Sequence, residues 1–380
     1  MRSRAAVAAV LAALGLLVAA SAQASRGLIV GIFDEPQTFG NPDWAFTQYH
    51  SLGVKAIRVN LYWGGTSGVA RRRRPANAVN PADPAYDWSL YDSTIKRAAE
   101  GRIKVVLSIL WTPRWAGPRL NRAPTRMIDL RNFAYAAAKR YSGSFRPAPD
   151  QLPLPAVRYW LAWNEPNNPI FLQPQFVRAG KHSFRPWSPR IYAQMCNSIW
   201  NGVHLTGLAG EKVGCGVTAP RGNNSGLQPR SSISPIYFLR GMKRAGAHFD
   251  AYAHHPYAGH PNETPRTPPP GGIRVRAVTL GNINVLINEL TRLYGPKRLW
   301  ITEYGYQTNP PDRLFGVSFA KQARYVSLAY ALARANPRID MMMWFLLKDD
   351  PRIGAGWQSG FYTTSMRQKP AWRAFQRLRK

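Results

Sequence analysis

The chain is short of acid and nearly without cysteine. Its 380 residues hold 19 Asp and Glu against 51 Lys and Arg, a net charge of +32, and 2 cysteines. Two thiols cannot staple a disulfide scaffold or build a cysteine-rich zinc site. Beyond the N-terminus no apolar run approaches the roughly 20 residues that cross a bilayer, so no stable membrane insertion is expected. No repeat of fixed period and no low-complexity tail is present. The first strand candidate runs into Gly31-Ile32-Phe33-Asp34-Glu35, which lacks the G-x-G-x-x-G phosphate turn of a dinucleotide-binding sheet. No nucleic-acid recognition module is visible either. Charge without such a module means weak, salt-sensitive attraction, and no nucleic-acid partner is expected.

What the chain does have is a core and aromatics. It is 45% hydrophobic and 18% charged, a globular rather than disordered balance, and it carries 13 Trp, side chains suited to stacking on sugars. Arg2 and Arg4, the apolar run 5–20 and Ala22-Gln23-Ala24 read as a secretory signal peptide over residues 1–24, with one domain over 25–380. The protein is then secreted. Its charge would meet walls, matrix or anionic polymers, and Cys196 and Cys215 would lie in an oxidising compartment. Pairing and two buried free thiols both remain open for them.

Short apolar runs alternate with amphipathic stretches. Strands are expected at 28–33, 54–61, 104–110, 157–163, 213–218, 249–253, 299–302 and 341–346. Helical patterns occupy 89–100, 130–141, 189–207, 234–245, 275–294 and 317–336, with a short closing helix near 370–378. Eight strand–helix units in one chain of this length specify an α/β fold, a (β/α)8 TIM barrel. The long Pro- and Gly-rich segments 221–234 and 259–272 follow strands five and six, on the face where barrel active sites form.

Two of those strands end in glutamate. The fourth runs out in Trp163-Asn164-Glu165-Pro166-Asn167 and the seventh in Ile301-Thr302-Glu303-Tyr304-Gly305. Barrel closure brings strand ends to one axis, so the two carboxyl groups can flank a single bond. Glycoside hydrolysis needs such a pair, one protonated to serve the leaving oxygen and one ionised to attack the anomeric carbon. A lone Glu at a strand end reads more simply as a cap or ion pair. Two at matching ends do not.

The run WNEPN, with the second Glu after strand seven, resembles the clan A glycoside hydrolases, a superfamily of retaining (β/α)8 enzymes, and within it the cellulase-like and family 39 proteins. The resemblance runs from Gly27 to the closing segment 369–375. It implies Glu165 as general acid/base, Glu303 as nucleophile, and Asn164 bonded to the sugar 2-hydroxyl. It implies Arg58 beside the nucleophile, and His255 and Tyr257 contacting sugar and nucleophile. It implies Trp344 as a stacking platform, with a core aromatic as the alternative. Trp111 and Trp115, and Asp34 and Glu35, carry similar ambiguity between sugar contact and structure. No cofactor is required, and no metal is expected because no third ligand sits at suitable spacing beside the two histidines. The strand-eight exit Lys348-Asp349-Asp350, the run 71–74 of four arginines, and Lys181, His182, Arg185 and Trp187 depart from well-known members. These basic insertions make an acidic glycan the alternative to a neutral one. The reading is a secreted retaining glycosidase of an oligo- or polysaccharide. The competing one is a non-catalytic glycan-binding barrel at the cell surface.

Overall fold

A computed structural model describes residues 27–270 and 276–380. The segment expected to be a signal peptide lies outside the described residues. Eight parallel strands close a barrel: β1 (Ile29–Ile32), β2 (Ala56–Tyr62), β3 (Lys104–Leu110), β4 (Tyr159–Ala162), β7 (Lys212–Thr218), β8 (Ala251–His254), β9 (Arg298–Tyr304) and β10 (Ile339–Trp344). A separate antiparallel hairpin pairs β5 (Phe176–Arg178) with β6 (Phe184–Pro186) in the connection after β4. The fold is the α/β barrel that the alternation specified.

Strand periodicity sorts the side chains. Along β2, Ile57, Val59 and Leu61 join the main core outside the barrel. Ala56 faces the barrel interior, and Asn60 and Tyr62 line the cleft above it. Alternation with a period of two therefore carries Arg58 inward at the top of the barrel. The interior is filled by Val106, Leu161, Val217, Trp300, Met341 and Met343. These large residues fit because others are small: a Cβ on Gly214 would lie 2.7 Å from the Trp300 ring.

Most crossover helices fall where the amphipathic patterns placed them. Helix 89–100 is Ser89–Glu100, and 317–336 becomes Phe319–Ala335. Two helices between β1 and β2, Glu35–Gly40 and Pro42–Ser51, were not expected from the sequence. Each has proline in its first turn, where the missing N–H costs nothing. Helix 275–294 is shorter, Ile283–Tyr294 after a turn of 3-10 helix.

Cys196 and Cys215 form a disulfide between helix Ser188–His204 and β7, with Cα atoms 6.1 Å apart. It spans 19 residues. Replacing both by alanine is expected to lower the unfolding free energy by about 3 kcal/mol, the chain-entropy value for a loop of this size. The denaturation midpoint of the double variant measures it, and an unchanged midpoint would show the bond to be stabilising nothing.

Candidate active site

The strand ends converge on a cleft of about 690 Å³, lined by residues that include Glu35, Asn60, Tyr62, Asn164, Glu165, Phe171, Tyr257, Glu303, Phe345 and Trp357. Backbone geometry aims the two acids into it. Trp163 and Glu165 take positive φ values of 71° and 37°, so the chain kinks as β4 ends. Such conformations cost energy in non-glycine residues and are held by their surroundings. Here the Glu165 N–H bonds the Val217 carbonyl, and buried Asn167 ties this loop to the next through Ala219 and Ile233. On β9 strict alternation would send Glu303 outward with Ile301. The register with β10 instead shifts between Ile301 and Tyr304, inserting a residue, and both Thr302 and Glu303 reach the axis.

Carboxylate oxygens of Glu165 and Glu303 and a ring nitrogen of His255 all lie within 4.8 Å of one another. Oxygens this close can flank a single bond. Glu303 receives Arg58 Nη1 at 2.7 Å on Oε1 and the Tyr257 hydroxyl at 3.1 Å on Oε2. Arg58 is wholly buried, so its charge acts at low dielectric. Its other nitrogen donates to Asn164 Oδ1 at 2.6 Å, which leaves the Asn164 amide nitrogen available to a sugar hydroxyl. Glu165 differs: burial raises its pKa from 4.5 to about 7, opposed by a hydrogen bond from Asn168 and by the charge of Arg58. Paired carboxyl groups in unequal surroundings divide into acid and base by this means.

His255 connects the two. Arg58 Nη1 can only donate, and it lies 3.1 Å from His255 Nε2, with Thr302 Oγ1 at 3.0 Å. Nε2 is therefore the acceptor, and Nδ1–H donates to Glu165 Oε1 at 3.1 Å. Burial lowers the His255 pKa to about 3, in keeping with a neutral ring. The ring is fully buried and does not line the cleft, so the expected sugar contact is corrected: His255 touches both carboxylates from behind. His254, one residue earlier on the alternation, points outward to Thr218 and the Val278 carbonyl.

The expectation that no third ligand stands near a histidine fails in space, since Glu165, His255 and Glu303 form a three-donor group. A second cation there would face the guanidinium of Arg58, which already pairs with Glu303. The donor set suits an ion-paired carboxylate better than a metal.

The aromatic expectations divide. Trp344 is a core residue, fully buried, stacked on Phe361 and donating to the Ser359 carbonyl. The next residue, Phe345, lines the cleft in its place. Trp115 is structural too, bonded to the Ala70 carbonyl and covered by Arg74. Trp111 stands one ring out from the cleft, stacked on Phe171 at 5.8 Å. Asp34 caps the helix after β1 and receives the N–H groups of Leu347 and Lys348. Glu35 lines the cleft, and Oε2 is buried with no hydrogen-bond partner. Trp357 and Phe345, absent from the sequence reading, carried no motif that could have flagged them.

Comparison with solved structures follows this geometry. A family 39 glycoside hydrolase from Bacteroides cellulosilyticus matches 93% of this chain and 63% of its own, with TM-score 0.63 and 18% identity. A monomeric beta-xylosidase from Caulobacter crescentus matches 94% and 69%, with TM-score 0.59 and 16% identity. Fungal beta-1,4-galactanases match 93% of this chain and 100% of their own, with TM-score 0.56 and 15% identity. The chain thus spans somewhat under two thirds of the family 39 enzyme and all of the galactanase barrel. At these identities the likeness is one of fold, a (β/α)8 barrel that this chain shares with those enzymes. No family model matches the sequence, and no curated protein matches it.

Proposed function

We propose that the protein is a secreted retaining glycosidase acting on β-linked or equivalent equatorial sugars. The observation that carries this is the close pair Glu165 and Glu303, one raised to about 7 and the other ion-paired to buried Arg58. Glu303 attacks the anomeric carbon as the bond to the leaving oxygen breaks, and Glu165 gives that oxygen its proton. A glycosyl ester of Glu303 forms. Glu165, now a carboxylate, takes a proton from water, which displaces Glu303 from the sugar. His255 keeps the two carboxyl groups in register. The signal-like N-terminus and the Cys196–Cys215 bond support export to an oxidising compartment. Among the described residues no helix is long and apolar enough to cross a membrane.

A screen on aryl glycosides with product anomers read by proton NMR tests the reading. Retention is expected; inversion, or no turnover of any glycoside, would contradict it. The pH profile adds a sign. Glu165 must be protonated to act, and its pKa is about 7, so kcat/KM is expected to fall about tenfold per unit above pH 7. A rate that holds flat to pH 9 would remove Glu165 from the acid role.

Glu35 extends the site. A buried carboxylate oxygen without a partner is costly unless a ligand completes it. A sugar hydroxyl is the donor this cleft would supply. Burial raises the Glu35 pKa from 4.5 to about 7, so Glu35→Gln is expected to lower kcat/KM by roughly 3- to 10-fold, the value of one hydrogen bond without a full charge. A variant with unchanged kinetics and a lower melting temperature would make Glu35 purely structural.

A further inference from the structure

Beside the cleft lies a second concavity of about 1030 Å³ whose charged lining is Arg71, Arg72, Arg114 and Arg119. They come from two loops, those following β2 and β3. The loops are locked together: a Cβ on Gly64 would lie 2.5 Å from the backbone nitrogen of Pro113, and Gly64 N–H bonds the Trp111 carbonyl. The arginines are thus gathered by tight backbone packing. Arg71 donates to the Thr66 carbonyl at 2.6 Å. Among the described residues, the ion pairs of this region belong to Arg74 and Arg126, both with Asp129, and not to any of the four. The neighbouring Arg74, by contrast, is neutralised by Asp129 at 2.9 Å. Asp87 faces Arg71 and Arg72 beyond ion-pair distance, so four cations are set against one more distant carboxylate, and the residual positive field is one that an anion relieves.

An aromatic strip joins this pocket to the catalytic carboxylates. Phe171 lines the cleft, Trp111 stacks on it with rings 16° from parallel, and Gly65 of the arginine pocket sits against Trp111 and Leu120. Rings of this kind hold sugars by their faces, and guanidinium groups hold carboxylates or sulfates by paired N–H donors.

We propose that the pocket is a remote subsite for a polyanionic glycan. The chain would run from Glu165 and Glu303 across Trp111 and set its anionic groups among the four arginines. This rests on the glycosidase reading only for the path of the chain. Binding and hydrolysis can therefore be tested apart.

The probes are polygalacturonate, neutral dextran and single-stranded DNA, titrated by calorimetry against the wild-type protein and the variant R72A/R114A/R119A. These three side chains are exposed and make no hydrogen bond among the described residues, so the variant should fold, which its melting temperature checks. The wild type is expected to bind polygalacturonate at least tenfold more tightly than dextran or DNA. The variant is expected to lose about tenfold or more of that affinity, with a shallower salt dependence. Its kcat and KM on an aryl glycoside should be unchanged, because that substrate never reaches the pocket. Equal binding of polygalacturonate by both proteins would overturn the proposal. So would DNA binding as tightly as the glycan, which would mark an unselective polyanion surface. Should the glycan bind as expected while no glycoside is turned over, the subsite stands and the hydrolytic reading falls.

Discussion

Glu303→Ala is expected to abolish turnover, with kcat falling by on the order of 10⁴-fold or more, because the covalent step has no other nucleophile. Glu165, Asp34, Glu35, Asp349 and Asp350 also line the cleft, and none of them carries the Arg58 ion pair that Glu303 has. Glu165 stands on the leaving-group side with no ion pair from Arg58, and Asp34 spends its oxygens on three backbone N–H groups. Truncation to alanine also opens space beside the Tyr257 hydroxyl and the guanidinium of Arg58. A small anion drawn there by Arg58 can attack the sugar directly. Azide should therefore restore activity and yield a glycosyl azide of inverted configuration. Arg58 is the reason to expect rescue at all. Activity in the variant above about one hundredth of wild type, without azide, would place the nucleophile elsewhere.

Glu165→Gln should act differently, through the leaving group. A general acid contributes roughly 10²- to 10⁴-fold, and the benefit scales with how badly the departing oxygen needs a proton. The variant is expected to lose that full range on a natural glycan, whose leaving sugar alkoxide is strongly basic. On a dinitrophenyl glycoside, whose leaving group departs unaided, the first step should be nearly untouched and the ester should accumulate. The pH limb near 7 should be lost or reduced in Glu165→Gln; because burial also raises Glu35, which lines the same cleft, to about 7, a limb that persists in Glu165→Gln and vanishes in Glu35→Gln belongs to Glu35. Equal losses on both substrates would mean that Glu165 only shapes the site. Glutamine is the better replacement here because it preserves the hydrogen bond from His255.

How far the site could be read in advance depended on backbone regularity. Where strands alternate cleanly, the placement follows from the sequence. Ile57 and Val59 flank Arg58, and Tyr252 and His254 flank Ala253 and lead to an inward His255. Arg58 was visible for a physical reason, because a charge inside an apolar run must have a partner. Where regularity breaks, a motif was needed. Glu303 faces the cleft only because a bulge on β9 reverses its expected side, and Glu165 only because of left-handed backbone at two non-glycine residues. No periodicity announces either. Trp344 was misplaced by one residue for the same reason: as β10 ends, the exposed position passes to Phe345. The two helices after β1 are 6 and 10 residues long with proline in the first turn, too short to show a clear helical period. The hairpin β5–β6 is three residues per strand, too short to carry a pattern. Grouping across the barrel lay beyond sequence spacing altogether, as the three-donor cluster of Glu165, His255 and Glu303 and the pocket of four arginines both show.

The central claim is a covalent sugar ester on one named side chain. Incubating the protein with a panel of activated 2-deoxy-2-fluoro glycosides slows breakdown of that ester, and intact mass followed by peptide mapping locates it. One added glycosyl group per chain on the peptide containing Glu303 is the predicted result. Steady turnover of ordinary glycosides with no adduct, or an adduct on any other residue, would contradict it.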